Sequence, residues 1–285
     1  MITVKEALDK CIVFFRERKM AGARKEAAIV IGDALGMKPL ELYMQHDRPL
    51  TEKEVEKCRE VIIRRVKGEP NQYIKGCVEF LNCVFSVDKR VLIPRMETEI
   101  LVDKIIKELE EEELEGKALW DICTGSGCIG ISLKKRFPEL SVTLSDLSED
   151  ALEVAKENAE RNGVEVRILK GDLLEPFKGE QADYVVSNPP YVREDEYQTL
   201  AVEVKHFEPK MALVPGESGL EFYQRFSSEL PDYLNPGARV WMEIGMGQGK
   251  KVEAFFSEEI WEDVWFEQDW GRMDRFFYAT LKDAL

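Results

Sequence analysis

The sequence contains few of the residues on which metal centres and disulfide scaffolds depend. Only two of its 285 residues are histidine, His46 and His206, and its six cysteines form no C-x-x-C pair. A structural zinc site needs several cysteine or histidine ligands close together, so we predict that the protein has no metal site. Six cysteines in a chain of this length are also too few to staple a disulfide-dependent fold.

Long apolar stretches are missing as well. No run approaches the roughly 20 apolar residues that a membrane-spanning helix requires. Residues 1–6 (MITVKE) contain no apolar signal region. We therefore expect a cytoplasmic protein that does not bind membranes. Hydrophobic residues still make up 44% of the chain, which is enough for a well-buried core.

Acidic residues outnumber basic ones, and the excess is unevenly distributed. The formal net charge is −15, yet residues 1–78 contain 16 basic and 12 acidic residues, which leaves −19 on the rest of the chain. The two parts would therefore present opposite electrostatic fields. A basic helical region that docks a partner and a structural cap with incidental charge both fit this pattern.

The first part of the chain is predicted to be helical. Two capping boxes, in which a threonine precedes a glutamate by three residues, begin at Thr3 and Thr51. The predicted helices lie at about 3–19, 23–35, 39–44 and 51–66. We divide the chain into a helical bundle over 1–76, a β-hairpin linker over 77–94 and a larger domain over 95–285.

Beyond residue 95, predicted strands alternate with helices. The strands are predicted at 118–122, 142–145, 166–169, 184–186, 238–243, 264–267 and 276–279. The pattern predicts an α/β fold with a doubly wound, seven-stranded parallel sheet whose final strand is antiparallel. A helix over 97–115 is expected to end in a solvated acidic run, and the polar segment 192–215 is long enough to form a lid or substrate-binding loop.

The first strand of this domain leads into a glycine-rich turn. Residues 123–130 (CTGSGCIG) fit the pattern G-x-G-x-x-G, which lets backbone approach a ligand and leaves helix N–H groups free to bind it. Candidate ligand-binding residues in this turn are Cys123, Thr124, Gly125, Ser126 and Gly127.

Acidic residues follow the next two strands. Asp146 comes about 20 residues after the turn, where an acid usually holds ribose hydroxyls. Asp172 and Leu173 follow the third strand. A turn and two acids at successive strand ends indicate a nucleotide-binding edge of the sheet.

The fourth strand ends abruptly at Ser187-Asn188-Pro189-Pro190-Tyr191. The two prolines stop the strand because they cannot donate to a ladder, and they hold the preceding residues in extended geometry. The Asn188 side-chain oxygen and the Pro189 carbonyl are thereby presented as two fixed acceptors beside the ring of Tyr191. Two fixed acceptors suit a planar NH2 group, whose two hydrogens need two partners.

The order of these features resembles the seven-strand class of S-adenosylmethionine-dependent amino methyltransferases. Further motifs narrow the resemblance to the bacterial peptide-chain release factor glutamine methyltransferases. These motifs are Glu69-Pro70 with 73–76 (YIKG), 91–99 (VLIPRMETE), 207–209 (FEP), 243–245 (EIG) and the closing segment 269–275. Two positions depart from the family: Met96 stands where a second proline is frequent, and Leu173 stands where other members have an aromatic residue.

The resemblance implies a function. The enzyme would transfer a methyl group from S-adenosylmethionine to the side-chain amide nitrogen (N5) of the glutamine in the Gly-Gly-Gln loop of release factors, which would be its protein partners. Cofactor binding is assigned to Cys123, Thr124, Gly125, Ser126, Gly127, Asp146, Asp172, Leu173 and Asn188. The catalytic residues are assigned as Asn188, Pro189, Pro190 and Tyr191.

Other functions fit parts of the pattern. The same Asn-Pro-Pro-Tyr stretch would serve adenine N6 or cytosine N4 in DNA, but an enzyme that binds DNA should carry a basic face. The larger domain is strongly acidic, so we expect no direct nucleic-acid binding. A nicotinamide-dependent oxidoreductase would explain the glycine turn and Asp146 but leaves Asn188–Tyr191 without a role. A binding module that has lost its activity is disfavoured by the intact acceptors.

Overall fold

The computed structural model describes residues 2–283. The helices are α1 (Val4–Glu17), α2 (Ala23–Leu35), α3 (Pro39–Met44), α4 (Glu52–Val66), α5 (Asn71–Lys75), α6 (Met96–Leu109), α7 (Cys128–Arg136), α8 (Glu149–Asn162), α9 (Glu194–Tyr197), α10 (Val202–Phe207), α11 (Glu221–Glu229) and α12 (Gly249–Glu253). The strands are β1 (Cys77–Phe80), β2 (Cys83–Ser86), β3 (Ala118–Ile122), β4 (Ser141–Asp146), β5 (Arg167–Lys170), β6 (Ala182–Ser187), β7 (Leu234–Glu243), β8 (Trp261–Gln268) and β9 (Asp274–Leu281).

The larger sheet confirms the predicted fold class. Within residues 2–283 it has seven strands in the order β5-β4-β3-β6-β7-β9-β8. The first five in this order run parallel, whereas β9 is antiparallel to both of its neighbours. From β3 the chain builds outward to β4 and β5, and then returns to place β6 on the other side of β3. This reversal makes a crevice at the carboxyl ends of β3 and its neighbours, which is where ligands bind in such sheets.

The chain forms two compact units. The first extends to Gly76 and also includes α10, and the second comprises Cys77–Ala201 and the residues from Glu208 onward. The first unit is a bundle whose apolar core lies between α1, α2 and α4. Within it, Arg65 is buried and pairs with Glu26 at 2.8 Å and with Glu203 of α10 at 2.6 Å. The bundle is thus completed by a helix encoded far downstream.

Both predicted capping boxes are present at the starts of α1 and α4. The Thr3 hydroxyl accepts the Glu6 N–H at 3.2 Å, and the Glu6 carboxylate accepts the Thr3 N–H at 3.0 Å. Thr51 and Glu54 make the same reciprocal pair. These bonds satisfy backbone donors that the first turn of a helix leaves free, which explains why both helices begin where the sequence predicts.

The second unit is organised by its large sheet. Trp120 of β3 stacks on Phe177 with ring centroids 4.0 Å apart, and Trp241 of β7 stacks on Tyr184 of β6. The central strands β3, β4 and β6 are almost wholly buried, as is typical of a parallel sheet with helices on both faces.

Two segments differ from the prediction. The helix expected over 97–115 ends at Leu109, and Glu112 beyond it accepts a hydrogen bond from the Tyr184 hydroxyl at 2.6 Å and pairs with Arg239. The acidic run is therefore partly bound rather than wholly solvated. The segment 192–215 contains the short helices α9 and α10. No helix among residues 2–283 combines the length and the apolar character that a bilayer-spanning segment needs.

Candidate active site

A cavity in the second unit lies at the carboxyl ends of β3, β4, β5 and β6. The predicted site residues that line it are Cys123, Thr124, Gly125, Ser126, Asp146, Asp172, Leu173, Asn188 and Pro190. Three predicted residues, Gly127, Pro189 and Tyr191, are not among the lining residues. The fold thus gathers at one cavity most of the residues that the sequence singled out, although they span 68 positions of the chain from 123 to 190.

The glycine turn opens its backbone toward this cavity. Cys123 and Gly125 have φ values of 59° and 54°, in the left-handed region. A Cβ added to Gly125 would meet no atom within 4 Å, so this position borders open space. Gly130 has a different role, because a Cβ there would lie 2.3 Å from a Leu144 methyl group. Gly125 therefore leaves room for a ligand, whereas Gly130 allows α7 to approach β4.

Asp146 ties the turn to the end of β4. One carboxylate oxygen accepts the Gly125 N–H at 2.9 Å, and the other accepts the Ser148 N–H at 2.9 Å. Burial raises the pKa of Asp146, and these backbone donors oppose the shift. Each oxygen keeps a lone pair beyond the bond it makes, so the carboxylate can also accept ligand hydroxyls.

Asp172 is held by a partner that the sequence pattern did not reveal. Both of its carboxylate oxygens accept from Arg225 at 2.9 Å, and Arg225 of α11 also pairs with Glu229. The next residue, Leu173, is buried with a left-handed φ of 50°. Asp172 is thus oriented by an ion pair at the cavity wall.

The motif after β6 is anchored on both sides. The Asn188 amide nitrogen donates to the Thr98 hydroxyl at 3.1 Å. The Tyr191 hydroxyl donates to Glu243 at 3.1 Å and accepts from Arg275 at 3.4 Å. Burial, together with the nearby Glu243 carboxylate, raises the pKa of Tyr191, so its hydroxyl remains protonated. Pro189 and Pro190, which separate Asn188 and Tyr191 in the chain, are both buried.

The 91–99 and 207–209 motifs contact each other in the second unit. Arg95, which lines the cavity, pairs with Glu208 at 2.6 Å. The buried carboxylate of Glu208 also accepts the Ile93 N–H at 3.1 Å. This bond connects the 91–99 motif to the 207–209 motif and fixes one wall of the cavity.

Sequence reasoning assigned no role to several residues that complete this site. Thr98, Glu243 and Arg275 contact the Asn188–Tyr191 motif, and Arg225 holds Asp172. Thr98, Glu243 and Arg275 lie within the motifs 91–99, 243–245 and 269–275. Membership of these motifs is the only feature of the sequence that points to them. Within residues 2–283, no group of three or more His, Cys, Asp or Glu side chains is arranged to hold a metal ion. All six cysteines are free thiols.

We expect the stability of the protein to fall between about pH 4 and pH 7 because of Asp121. Its carboxyl is fully buried beneath the turn, and burial raises its pKa to about 7. Since the folded protein holds this proton more tightly than the unfolded chain, the free energy of unfolding decreases as the pH rises through that window. The ordinary pKa of an aspartate is 3.8 and that of Asp121 in the folded protein is about 7. Each pH unit between these values changes the free energy of unfolding by about 1.4 kcal/mol, so the total decrease is on the order of 4 kcal/mol.

Urea unfolding of the wild type and of Asp121→Asn across this pH range would measure the effect. The asparagine cannot ionise and can still accept from Thr124 and Gly130, which bond Asp121 at 2.6 and 2.8 Å. The variant should therefore show a flatter dependence on pH, whereas Asp150→Asn, at an exposed position, should keep the wild-type slope. Equal slopes in all three proteins would contradict the assignment to Asp121.

Comparison with known proteins yields matches over nearly the whole chain. Family models match it as Methyltransferase small domain over residues 81–214 and as PrmC N-terminal domain over residues 6–76. The release factor glutamine methyltransferase of Geobacter sulfurreducens is 37% identical over 273 residues, covering 96% of this chain and 95% of that protein. The release factor glutamine methyltransferase of Bacillus cereus is 41% identical over 260 residues, covering 90% of each chain.

Solved structures share the fold at lower identity. The hMettl16 catalytic domain in complex with MAT2A 3'UTR hairpin 1 matches with a TM-score of 0.54 at 15% identity, covering 84% of this chain and 83% of that one. A methyltransferase from Pyrococcus furiosus matches with a TM-score of 0.50 at 20% identity, covering 71% of this chain and 90% of that one. At these identities the likeness concerns the fold alone.

Proposed function

The chain belongs to the release factor glutamine methyltransferase family, and from this premise we propose that it methylates the side-chain amide nitrogen (N5) of the glutamine in the Gly-Gly-Gln loop of release factors. The methyl donor is S-adenosylmethionine. The observation that best supports this proposal is the Asn188 amide, which borders the cavity with its nitrogen held by Thr98 at 3.1 Å. Its oxygen is then available to accept from a substrate amide.

The residues at the sheet edge fit S-adenosylmethionine. The open backbone at Gly125 offers a cradle that a side chain would fill, and Asp146 retains acceptor capacity for the ribose hydroxyls. Leu173 and Asp172 line the same cavity, and Leu173 would give the adenine an aliphatic contact. When bound, the cofactor supplies a methyl group activated by the positive charge on its sulfur. These assignments agree with the polar groups that the cavity wall presents.

The chain's own residues favour transfer to an amide nitrogen by positioning it. A carboxamide nitrogen is a poor nucleophile because its lone pair is delocalised into the carbonyl. We assign the Asn188 side-chain oxygen and the Pro189 carbonyl as acceptors of its two N–H bonds. They would hold the nitrogen in line with the methyl group and stabilise the positive charge that develops as the N–C bond forms and the S–C bond breaks. The nitrogen then releases one proton to solvent, and no strong base is required because the cationic nitrogen is acidic.

Charge favours a protein substrate over DNA. The chain beyond residue 78 carries a formal charge of −19, which opposes binding to a phosphate backbone. Direct nucleic-acid binding is therefore not part of the proposed function. Because release factors act in translation termination, we propose that the enzyme works in the cytoplasm.

We propose that the domains follow the boundaries predicted from the sequence: a helical bundle over 1–76, a hairpin linker over 77–94 and the methyltransferase domain over 95–285. The bundle also takes in α10, Val202–Phe207. The backbone N–H groups of Val84 and Ser86 donate to Asn162 and Asn158 of α8, so the hairpin is attached to the methyltransferase domain. The bundle, with its basic excess, is the candidate for docking the release factor outside its methylated loop.

Mass spectrometry after incubation with isotope-labelled S-adenosylmethionine would test the proposal. We expect one labelled methyl group on the glutamine of the Gly-Gly-Gln loop of the release factor, and none on DNA treated in the same way. A release factor with that glutamine replaced by glutamate is the matched control and should remain unlabelled. Label on DNA adenine or cytosine, or an unlabelled wild-type release factor, would overturn the proposal.

A further inference from the structure

A chain of hydrogen bonds leads from Asn188 into the buried interior of the second unit. The Asn188 amide nitrogen donates to the Thr98 hydroxyl at 3.1 Å, and that hydroxyl donates to one oxygen of Glu243 at 2.6 Å. The other Glu243 oxygen accepts from the Tyr191 hydroxyl at 3.1 Å. Thr98 and Glu243 are 2% and 1% exposed, so neither can exchange these partners for bulk water. The chain therefore joins three separate sequence motifs.

When Glu243 is ionised, the donors and acceptors in this chain have only one consistent direction. An ionised carboxylate accepts hydrogen bonds and donates none. Thr98 has a single hydroxyl hydrogen, and the short bond to Glu243 uses it. The Thr98 oxygen can then only accept a hydrogen bond from Asn188. The NH2 group of the Asn188 amide, which is the donor, must therefore face Thr98. The Asn188 oxygen must consequently point the other way.

Burial raises the pKa of Glu243, and its hydrogen-bond donors and the nearby Arg275 charge oppose that shift by stabilising the ionised form. Two hydroxyl donors, those of Thr98 and Tyr191, bond its oxygens, and the Arg275 guanidinium lies close enough to donate to Tyr191 at 3.4 Å. Arg275 also donates to the Ile244 carbonyl at 3.4 Å, which keeps it beside the end of β7. Each oxygen of this buried carboxylate therefore accepts a hydrogen bond, which offsets part of the cost of burying its charge.

We propose that Thr98 and Glu243 are positioning residues that set the Asn188 amide with its oxygen toward the substrate nitrogen. The inference rests on the proposed function, because it assumes that Asn188 accepts from the substrate NH2. In the flipped amide, an NH2 group would face another NH2 group, and the acceptor would be lost. Since the two orientations of an amide have nearly the same shape, packing alone selects poorly between them, and the hydrogen-bond chain supplies the selection.

Paired substitutions at Thr98 would test the proposal. Thr98→Val keeps the shape of the side chain but removes the hydroxyl, and it should lower kcat for release-factor methylation about 10-fold, the equivalent of one hydrogen bond of about 1.4 kcal/mol. Thr98→Ser restores a hydroxyl and should recover kcat to within about twofold of the wild type. Affinity for S-adenosylmethionine, measured by calorimetry, should change less than about twofold in both variants. Thr143→Val, at a buried threonine of β4 outside the cavity lining, is the matched control.

A second readout does not depend on turnover. The hydrogen exchange of the Asn188 side-chain NH2, followed by NMR and assigned by its loss in Asn188→Ala, should be slow in the wild type and in Thr98→Ser. It should be clearly faster in Thr98→Val. If the wild-type enzyme failed to methylate a release factor, the proposed function would fail, while this measurement would still test the hydrogen-bond chain.

Three results would overturn the proposal. The first is a loss of kcat in Thr98→Ser as large as that in Thr98→Val, which would assign the effect to packing. The second is exchange of the Asn188 NH2 that is equally fast in the wild type and in Thr98→Val. A fall in kcat for Thr143→Val equal to that for Thr98→Val would likewise count against it.

Discussion

Replacement of Asn188 by alanine should lower kcat for glutamine methylation by about 1000-fold, the upper range for loss of one transition-state hydrogen-bonding group. The side chain removed is the one whose oxygen would accept from the reacting amide, so its contribution grows as positive charge develops on the nitrogen. The affinity for S-adenosylmethionine should change far less, although Asn188 also borders the cavity. Single-turnover kinetics and calorimetry together separate these two effects.

A matched control is available in Asn235→Ala. Asn235 belongs to β7, donates to Asp183 at 3.2 Å and does not line the cavity. This variant should retain kcat within about twofold of the wild type. Equal losses of kcat and of cofactor affinity in Asn188→Ala would show that Asn188 serves binding rather than the transition state.

Replacement of Asp146 by alanine should weaken binding of S-adenosylmethionine about 100-fold in calorimetry. A hydrogen bond to a charged group is worth about 1.5–3 kcal/mol, and the ribose presents two hydroxyls. The substitution also removes the acceptor that holds the Gly125 N–H at 2.9 Å, so the glycine turn loses part of its support. Both effects act in the same direction on affinity.

Two further variants separate these effects. Asp146→Asn retains one acceptor oxygen and should show an intermediate loss of affinity. Asp150→Ala removes an exposed acid from the first turn of α8 and should bind like the wild type. Unchanged affinity in Asp146→Ala would remove the ribose assignment, whatever the methylation assay showed.

Much of the fold could be predicted because its signals are local. The strand β3 is found at the predicted residues 118–122, and α2 at 23–35. Capping boxes fixed the starts of α1 and α4 through contacts three residues apart. The end of α6 was predicted too far along, because helix propensity alone does not mark where Glu112 leaves the helix to bond Tyr184.

The site was predictable only in part, for a related physical reason. Asp146 is the last residue of β4 and Asn188 directly follows β6. A pattern within one stretch of sequence is enough to place such residues at the edge of the sheet. Thr98 and Glu243 meet across a separation of 145 residues, and Arg225 reaches Asp172 across 53. No local periodicity encodes such contacts, because they arise only when the sheet brings the elements together.

The position of α10 in the sequence limits how the chain can be divided into fragments that fold separately. Arg65 holds Glu203 from a place 138 residues earlier in the chain, so the helical bundle is complete only when both stretches are synthesised. A gene truncated after codon 76 would yield the bundle without α10. The remaining fragment would contain α10, but its Glu203 would lack the Arg65 guanidinium. Recombinant expression of either half by a single cut would therefore give incomplete pieces, and exchange of bundles between relatives would need two junctions.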